Sequence, residues 1–200
     1  KTDDWNDPTN WDYGTVPTSG KPVKIPTGLT NYPVLDRDIN LIDETADIKE
    51  DSLIIKTGAK INFAGNKFSV TNLENSGEVE FNGGSISSTS INNSGIVILT
   101  GKEEISGEIS ESGTVIYSGT ETDAKFSWGS NYKNLEIQDD FSGSFENGVI
   151  VSDSLKIVNG FEITEKLDNS KNLLEISGTG TLSNKENISI TSTGSQSFNG

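Results

Sequence analysis

The sequence predicts an all-β protein: a right-handed parallel β-helix with coils of about 18–20 residues and an N-terminal cap. Three observations carry that expectation. Similar blocks recur at a constant step, apolar and polar residues alternate within each block, and the first 35 residues differ in composition from the rest.

The step is eighteen residues. Segments 73–83, 91–101 and 109–119 align, with Ser-Gly at 76–77, 94–95 and 112–113 and a closing glycine at Gly83, Gly101 and Gly119. Apolar positions keep the same step: Ile55, Leu73, Ile91, Ile109; Ile61, Val79, Val97, Val115; Phe63, Phe81, Leu99, Tyr117. Val79 and Phe81 alternate with Glu78, Glu80 and Asn82, the pattern of a strand with one buried face. Such a unit holds too little apolar surface to fold alone. Stacked on its neighbours it buries a continuous core, and each strand pairs with the coil before and the coil after. Eighteen residues at roughly 3.3 Å each give a perimeter of about 59 Å, which suits one narrow coil. A β-sandwich has no reason to keep one spacing through three units. A left-handed β-helix would repeat hexapeptides, a rule that Leu73 and Val79 obey but Ser85 and Glu103 break. The irregular third side favours the right-handed form.

Residues 1–35 read as an N-terminal cap with the first strands. All five prolines lie here (Pro8, Pro17, Pro22, Pro26, Pro33), as do Trp5 and Trp11 of the three tryptophans. An uncovered coil end exposes core and unpaired strand edges, so a terminal repeat departs from the others. Trp5, Trp11 and Tyr13 are expected across the first coil, with proline denying further pairing. Carbohydrate stacking is the competing reading of these rings.

Residues 36–200 read as the coils. Asp36, Asp38, Asp43, Glu44, Asp47, Glu50 and Asp51 form an acidic run, broken by Ile39, Leu41 and Ile48. The plain expectation is a solvated outer face; the sharper one is a weak calcium site, since hard cations take several oxygen ligands. Neither the Gly-Gly-x-Gly-x-Asp pattern nor the EF-hand loop occurs: Gly83-Gly84 runs into Ser85, Ile86 and Ser87. Metal ligands therefore stay unassigned, and no cofactor is expected. The strict register lapses after Gly119, and residues 120–133, with Trp128 and Tyr132, are expected to form a corner insertion. Coiling then resumes, with Leu135/Ile137 and Leu155/Ile157 twenty apart. Gly178-Thr179-Gly180 reads as a turn, because the strand–loop–helix setting of a phosphate cradle is missing.

Charge narrows the partners. Fifteen Lys plus Arg against 30 Asp plus Glu leave a net charge of −15. Nucleic-acid binding rests on clustered cations, so no such partner is expected. Anionic membranes are repelled by the same sign, and no run of 18 apolar residues is present to insert. Cysteine, histidine and methionine are absent, which removes thiol, zinc-thiolate and histidine chemistry. A chain that starts at Lys1 without Met is expected to be cut from a longer one, and Phe198-Asn199-Gly200 still reads as repeat, so the parent is expected to continue.

The order Trp5, Asn10-Trp11, Gly14, Pro17, Gly20, Val23-Lys24-Ile25-Pro26 resembles the opening of large secreted bacterial β-helix proteins. Residues 52–61, 73–79, 132–137 and 194–200 are similar to the repeats that follow in that group. Lys21 departs from it, since the group usually carries Asp there. The resemblance implies a bacterial extracellular or surface location and an adhesin-like role, with a host or cell-surface protein or glycan as partner. It says little about activity, because fold does not dictate function.

Catalysis is the competing class, since polysaccharide lyases and hydrolases use right-handed β-helices. The lyases need an arginine base, and the one arginine is Arg37, beside the cap. Gln138-Asp139-Asp140 resembles the paired aspartates of polygalacturonases, where carboxylates serve as acid and base. That family also needs a histidine motif, which this chain cannot supply, so Asp139 and Asp140 read as turn acids and no catalytic residue is assigned. No Thr-x-Thr row marks an ice-binding face, and the cap motif points away from a trimeric phage tailspike. The expectation is a non-enzymatic stalk or fibre segment, capable of self-association and stabilised by apolar columns and stacked Ser, Asn and Gly ladders. The alternative is a carbohydrate-binding or polysaccharide-cleaving β-helix.

Overall fold

A computed structural model describes residues 2–43, 51–119, 124–129 and 131–138, with strands from Gly143 onward; side chains beyond 138 are described over 151–156. It is all-β, with parallel sheets built from stacked coils: a β-solenoid. The strands used below are β1 (Val23–Ile25), β2 (Ile39–Asn40), β3 (Ser52–Ile55), β4 (Lys60–Asn62), β5 (Lys67–Ser69), β6 (Asn72–Asn75), β7 (Glu78–Glu80), β8 (Ser85–Asn93), β9 (Ile96–Leu99), β10 (Ile105–Glu111), β11 (Thr114–Tyr117), β12 (Ala124–Lys125), β13 (Asn131–Ile137), β14 (Gly143–Ser144) and β15 (Val149–Ile157). Two compact units divide the chain: Lys1–Val97 with Glu103–Ser110, and Ile98–Lys102 with Glu111–Gly200.

The first unit has three walls. β1, β3, β6 and the end of β8 make one, aligned Val23↔Leu53↔Leu73↔Ile91. A second places Asp4 on Val34, Val34 on Asn62 and Asn62 on Glu80. The third runs Ile39↔Phe68↔Ile86 through β2, β5 and the start of β8. Every pairing is parallel, and β8 turns a corner to serve two walls. Inward residues form the expected columns: Ile61, Val79 and Val97 are at most 1% exposed, and Phe63 meets Phe81 with ring centroids 4.7 Å apart.

One register expectation is corrected. Ile55 does not share a column with Leu73; its neighbour is Asn75, and Leu53 stands against Leu73. The cause is corner length. Four residues, Lys56 to Ala59, join β3 to β4, with Gly58 at φ +78°, whereas Ser76-Gly77 alone joins β6 to β7. The shorter corner removes two residues and sets the eighteen-residue step seen from Lys60↔Glu78 onward. On β10, Ile105, Ile109 and Glu111 are half-buried while Ser106, Glu108 and Ser110 are exposed. The third wall is filled by Phe68 and Ile86, one place after the hexapeptide position at Ser85.

In the second unit β11, β13 and β15 stack in parallel, aligned Val115↔Leu135↔Leu155, at twenty-residue steps. β12 pairs with β14 on another wall. Residues 124–129 contribute to the interior, burying Ala124 and Trp128. Tyr117 contacts Phe126 at 4.4 Å between centroids, and its hydroxyl accepts the Trp128 backbone N–H at 3.2 Å.

Candidate functional site

Among the described residues of the first unit, the buried polar side chains are Asp51, Thr71, Asn75, Asn93 and Glu103, two of them in Asn-Ser-Gly corners. Asn75 and Asn93 are 1% exposed. Each carboxamide oxygen accepts the N–H two residues on, Gly77 at 3.0 Å and Gly95 at 3.2 Å, and so closes its own turn. Asn75 Nδ2 donates to Asn93 Oδ1 at 2.8 Å and to the Ile96 carbonyl at 2.9 Å, tying one coil to the next. A buried carboxamide left unmatched would be costly, and stacking satisfies it with its own repeat. Ser94 Oγ lies 3.1 Å from Ser76 Oγ on the exposed side. The glycines are demanded by closeness: a Cβ on Gly95 would sit 2.2 Å from the Gly77 carbonyl oxygen, and one on Gly77 2.3 Å from that of Ala59. At the third repeat Glu111 stands where the asparagine was. Its Oε1 still accepts from Gly113 N at 2.7 Å, while Oε2 accepts from Trp128 Nε1 at 2.7 Å.

The cap is built on Trp5, which is fully buried and meets Trp11 and Phe68 edge-on at 4.8 and 5.5 Å. Trp11 donates its indole N–H to the Trp5 carbonyl at 2.9 Å. Tyr13 is a correction: it is 96% exposed and covers no coil. The 3₁₀ turn Pro8–Asn10 is capped by Asp7, which accepts from the Thr9 backbone and hydroxyl and from Thr2. Those bonds, chiefly from Thr9, hold the Asp7 carboxyl below its ordinary value.

The acidic run divides. Asp36 accepts from Asn6 and from Arg37, and Asp38 accepts the Lys67 backbone N–H at 2.8 Å. Asp51 is the second correction, because it faces the interior rather than solvent. It is 0% exposed, and its two oxygens accept the backbone N–H groups of Gly20 at 2.6 Å and Asp43 at 2.8 Å. A carboxylate so engaged ties the cap loop to the second coil. Nothing in the sequence separated Asp51 from its neighbours, since its place depends on where Gly20 returns. Among the described residues no group of three or more acidic side chains is placed to hold a metal ion. Glu44, Asp47 and Glu50 lie outside the described residues, as do Asp139 and Asp140.

Outward charges pair between coils. Lys60 reaches Glu78 at 2.8 Å, which raises the lysine pKa, and Lys156 reaches Glu136 at 2.9 Å. A shallow trough of about 160 Å³ is lined by Lys67, Ser85, Ile86, Ser87, Glu104, Ile105 and Ser106. In the second unit the Tyr132 hydroxyl lies 3.1 Å from that of Tyr117, and burial pushes its pKa well above 10.0. No family model, curated protein or solved structure matches the chain.

Proposed function

We propose that the chain is a non-enzymatic, adhesin-like stalk or fibre segment of a bacterial extracellular surface protein. The observation that supports this reading most is the Asn75–Asn93 ladder. Two buried carboxamides are matched to each other from one coil to the next. Such matching resists longitudinal separation of the coils. The acid-rich sequence, at −15, favours the solubility of a repetitive surface.

The test is mechanical. Pulled from its two ends, the chain is expected to unfold in steps of about one coil, each releasing roughly 60 Å of contour at ~3.3–3.6 Å per residue. A glycan array and a reducing-sugar assay on acidic polysaccharides, run on the same protein, are expected to stay flat. Signal at one glycan class, lost on Asp139→Asn and Asp140→Asn, would replace the structural reading with carbohydrate binding or cleavage.

A further inference from the structure

One corner carries a reactive sequence under visible restraint. Asn82-Gly83 is the dipeptide most prone to spontaneous cyclisation, because glycine places no side chain in the path of its own nitrogen. In that reaction the Gly83 backbone nitrogen attacks Cγ of Asn82. The new N–C bond forms as Cγ–Nδ2 breaks, and the proton lost by Gly83 leaves with Nδ2 as ammonia. Water then opens the succinimide to Asp or isoaspartate. For this to happen, Gly83 N must swing towards the Asn82 side chain and surrender its hydrogen.

The fold opposes each movement. Asn82 is held at φ +50°, a left-handed conformation that few side-chain-bearing residues adopt. Gly83 N–H donates to Glu103 Oε1 at 3.1 Å, and Glu103 is only 5% exposed. Gly84 N donates to the Phe81 carbonyl at 2.9 Å, pinning the far side of the turn. The leaving nitrogen, Asn82 Nδ2, donates to Asn62 Oδ1 at 3.2 Å. A Cβ on Gly84 would lie 2.5 Å from the Asn66 carbonyl, so the corner has no slack to re-form around a rotated peptide.

We propose that Asn82-Gly83 is a latent self-modification site, kept closed by the folded corner with Glu103 as its lock, so that cyclisation proceeds when this coil opens. The product would add a negative charge beside Glu80, or an extra backbone methylene as isoaspartate, and either would oppose re-closure. The corner thus records irreversible damage in a coil that has once come apart.

The experiment incubates the full chain at neutral pH, folded and in urea, and follows deamidation and isoaspartate at Asn82 by peptide mass spectrometry. Folded protein is expected to react at least about tenfold more slowly than the denatured chain, the factor that one charge-assisted hydrogen bond makes in a barrier. Glu103→Ala is expected to recover most of that factor, whereas Glu103→Gln, whose carbonyl still accepts from Gly83, stays within about threefold of wild type. Circular dichroism melts establish that each variant is folded during incubation. Equal rates for folded and denatured wild type overturn the proposal. So does a Glu103→Gln rate as fast as that of a folded Glu103→Ala. Should Glu103→Ala fail to fold, the folded-against-denatured comparison and Glu103→Gln still decide.

Discussion

At Gly95 an added methyl group has nowhere to go, since its position lies 2.2 Å from the Gly77 carbonyl oxygen and 2.7 Å from the Ser76 carbonyl carbon. Both obstacles are backbone, which cannot rotate aside as a side chain would. Gly95→Ala is therefore expected to cost about 1–3 kcal/mol in a urea melt, the usual penalty of overpacking. An unchanged midpoint would mean that the Ser-Gly corners do not stack this closely. Tyr132 gives a prediction in pH. Its folded pKa lies well above 10.0, chiefly through burial, with Tyr117 and Glu111 adding to the shift. Between the unfolded and folded values the native state holds more protons than the unfolded one, so stability falls as pH rises. The contribution is complete below about pH 10 and declines above it. Tyr132→Phe removes this titration, and its stability is expected to depend less steeply on pH from about 10 upward. Parallel slopes for the two proteins would show that Tyr132 ionises as freely in the fold as out of it.

At the scale of single elements, the cap rests on one ring. Trp5 fills the end of the first unit against Phe68 of β5, while Trp5 N donates to the Val34 carbonyl at 3.2 Å. Trp5→Ala is expected to cost about 3–5 kcal/mol and to raise hydrogen exchange first at β1 and β2. Loss spread evenly over β1 to β7 would mean that the cap and the coils behind it open together. This element was legible before its details were. Proline and tryptophan marked residues 1–35 as different, yet Tyr13 looked the same as Trp5 in sequence, because spacing cannot say which ring the turn at Pro8–Asn10 aims inward. Columns through Val79 and Phe81 were legible because their corner, Ser-Gly, keeps one length. Ile55 was misplaced because the corner at Lys56–Ala59 is two residues longer, and an apolar residue lies on both candidate registers. Stacked asparagines were expected, but the burial of Asn75 and Asn93 became visible only with Ile96 and the next coil in place. Asp51 was hidden for a similar reason, since its partners stand 31 and 8 residues away, at Gly20 and Asp43.

Across the molecule, stability is expected to be a sum over neighbouring coils, because each strand's partners are the strands one coil before and one coil after. Val97 tests this. It is 0% exposed, in the column that follows Ile61 and Val79, and Ile96 N donates to the Gly77 carbonyl at 2.7 Å beside it. Val97→Asp places a carboxylate in a column of buried apolar side chains. The cost should exceed about 3 kcal/mol, since a buried unpaired charge has neither water nor a partner. In a protein with one indivisible core, such a change would lower protection everywhere alike. In a stack, the damage is expected to be graded within the first unit. Amide exchange should rise most at β7, less at β4 and least around Val34, because the penalty is felt through successive interfaces. Raising the pH of the exchange buffer does not relieve it, since the aspartate only becomes more fully charged. Uniform loss of protection through β4, β7 and Val34 would contradict nearest-neighbour stability, and with it the expectation that the chain parts one coil at a time under load.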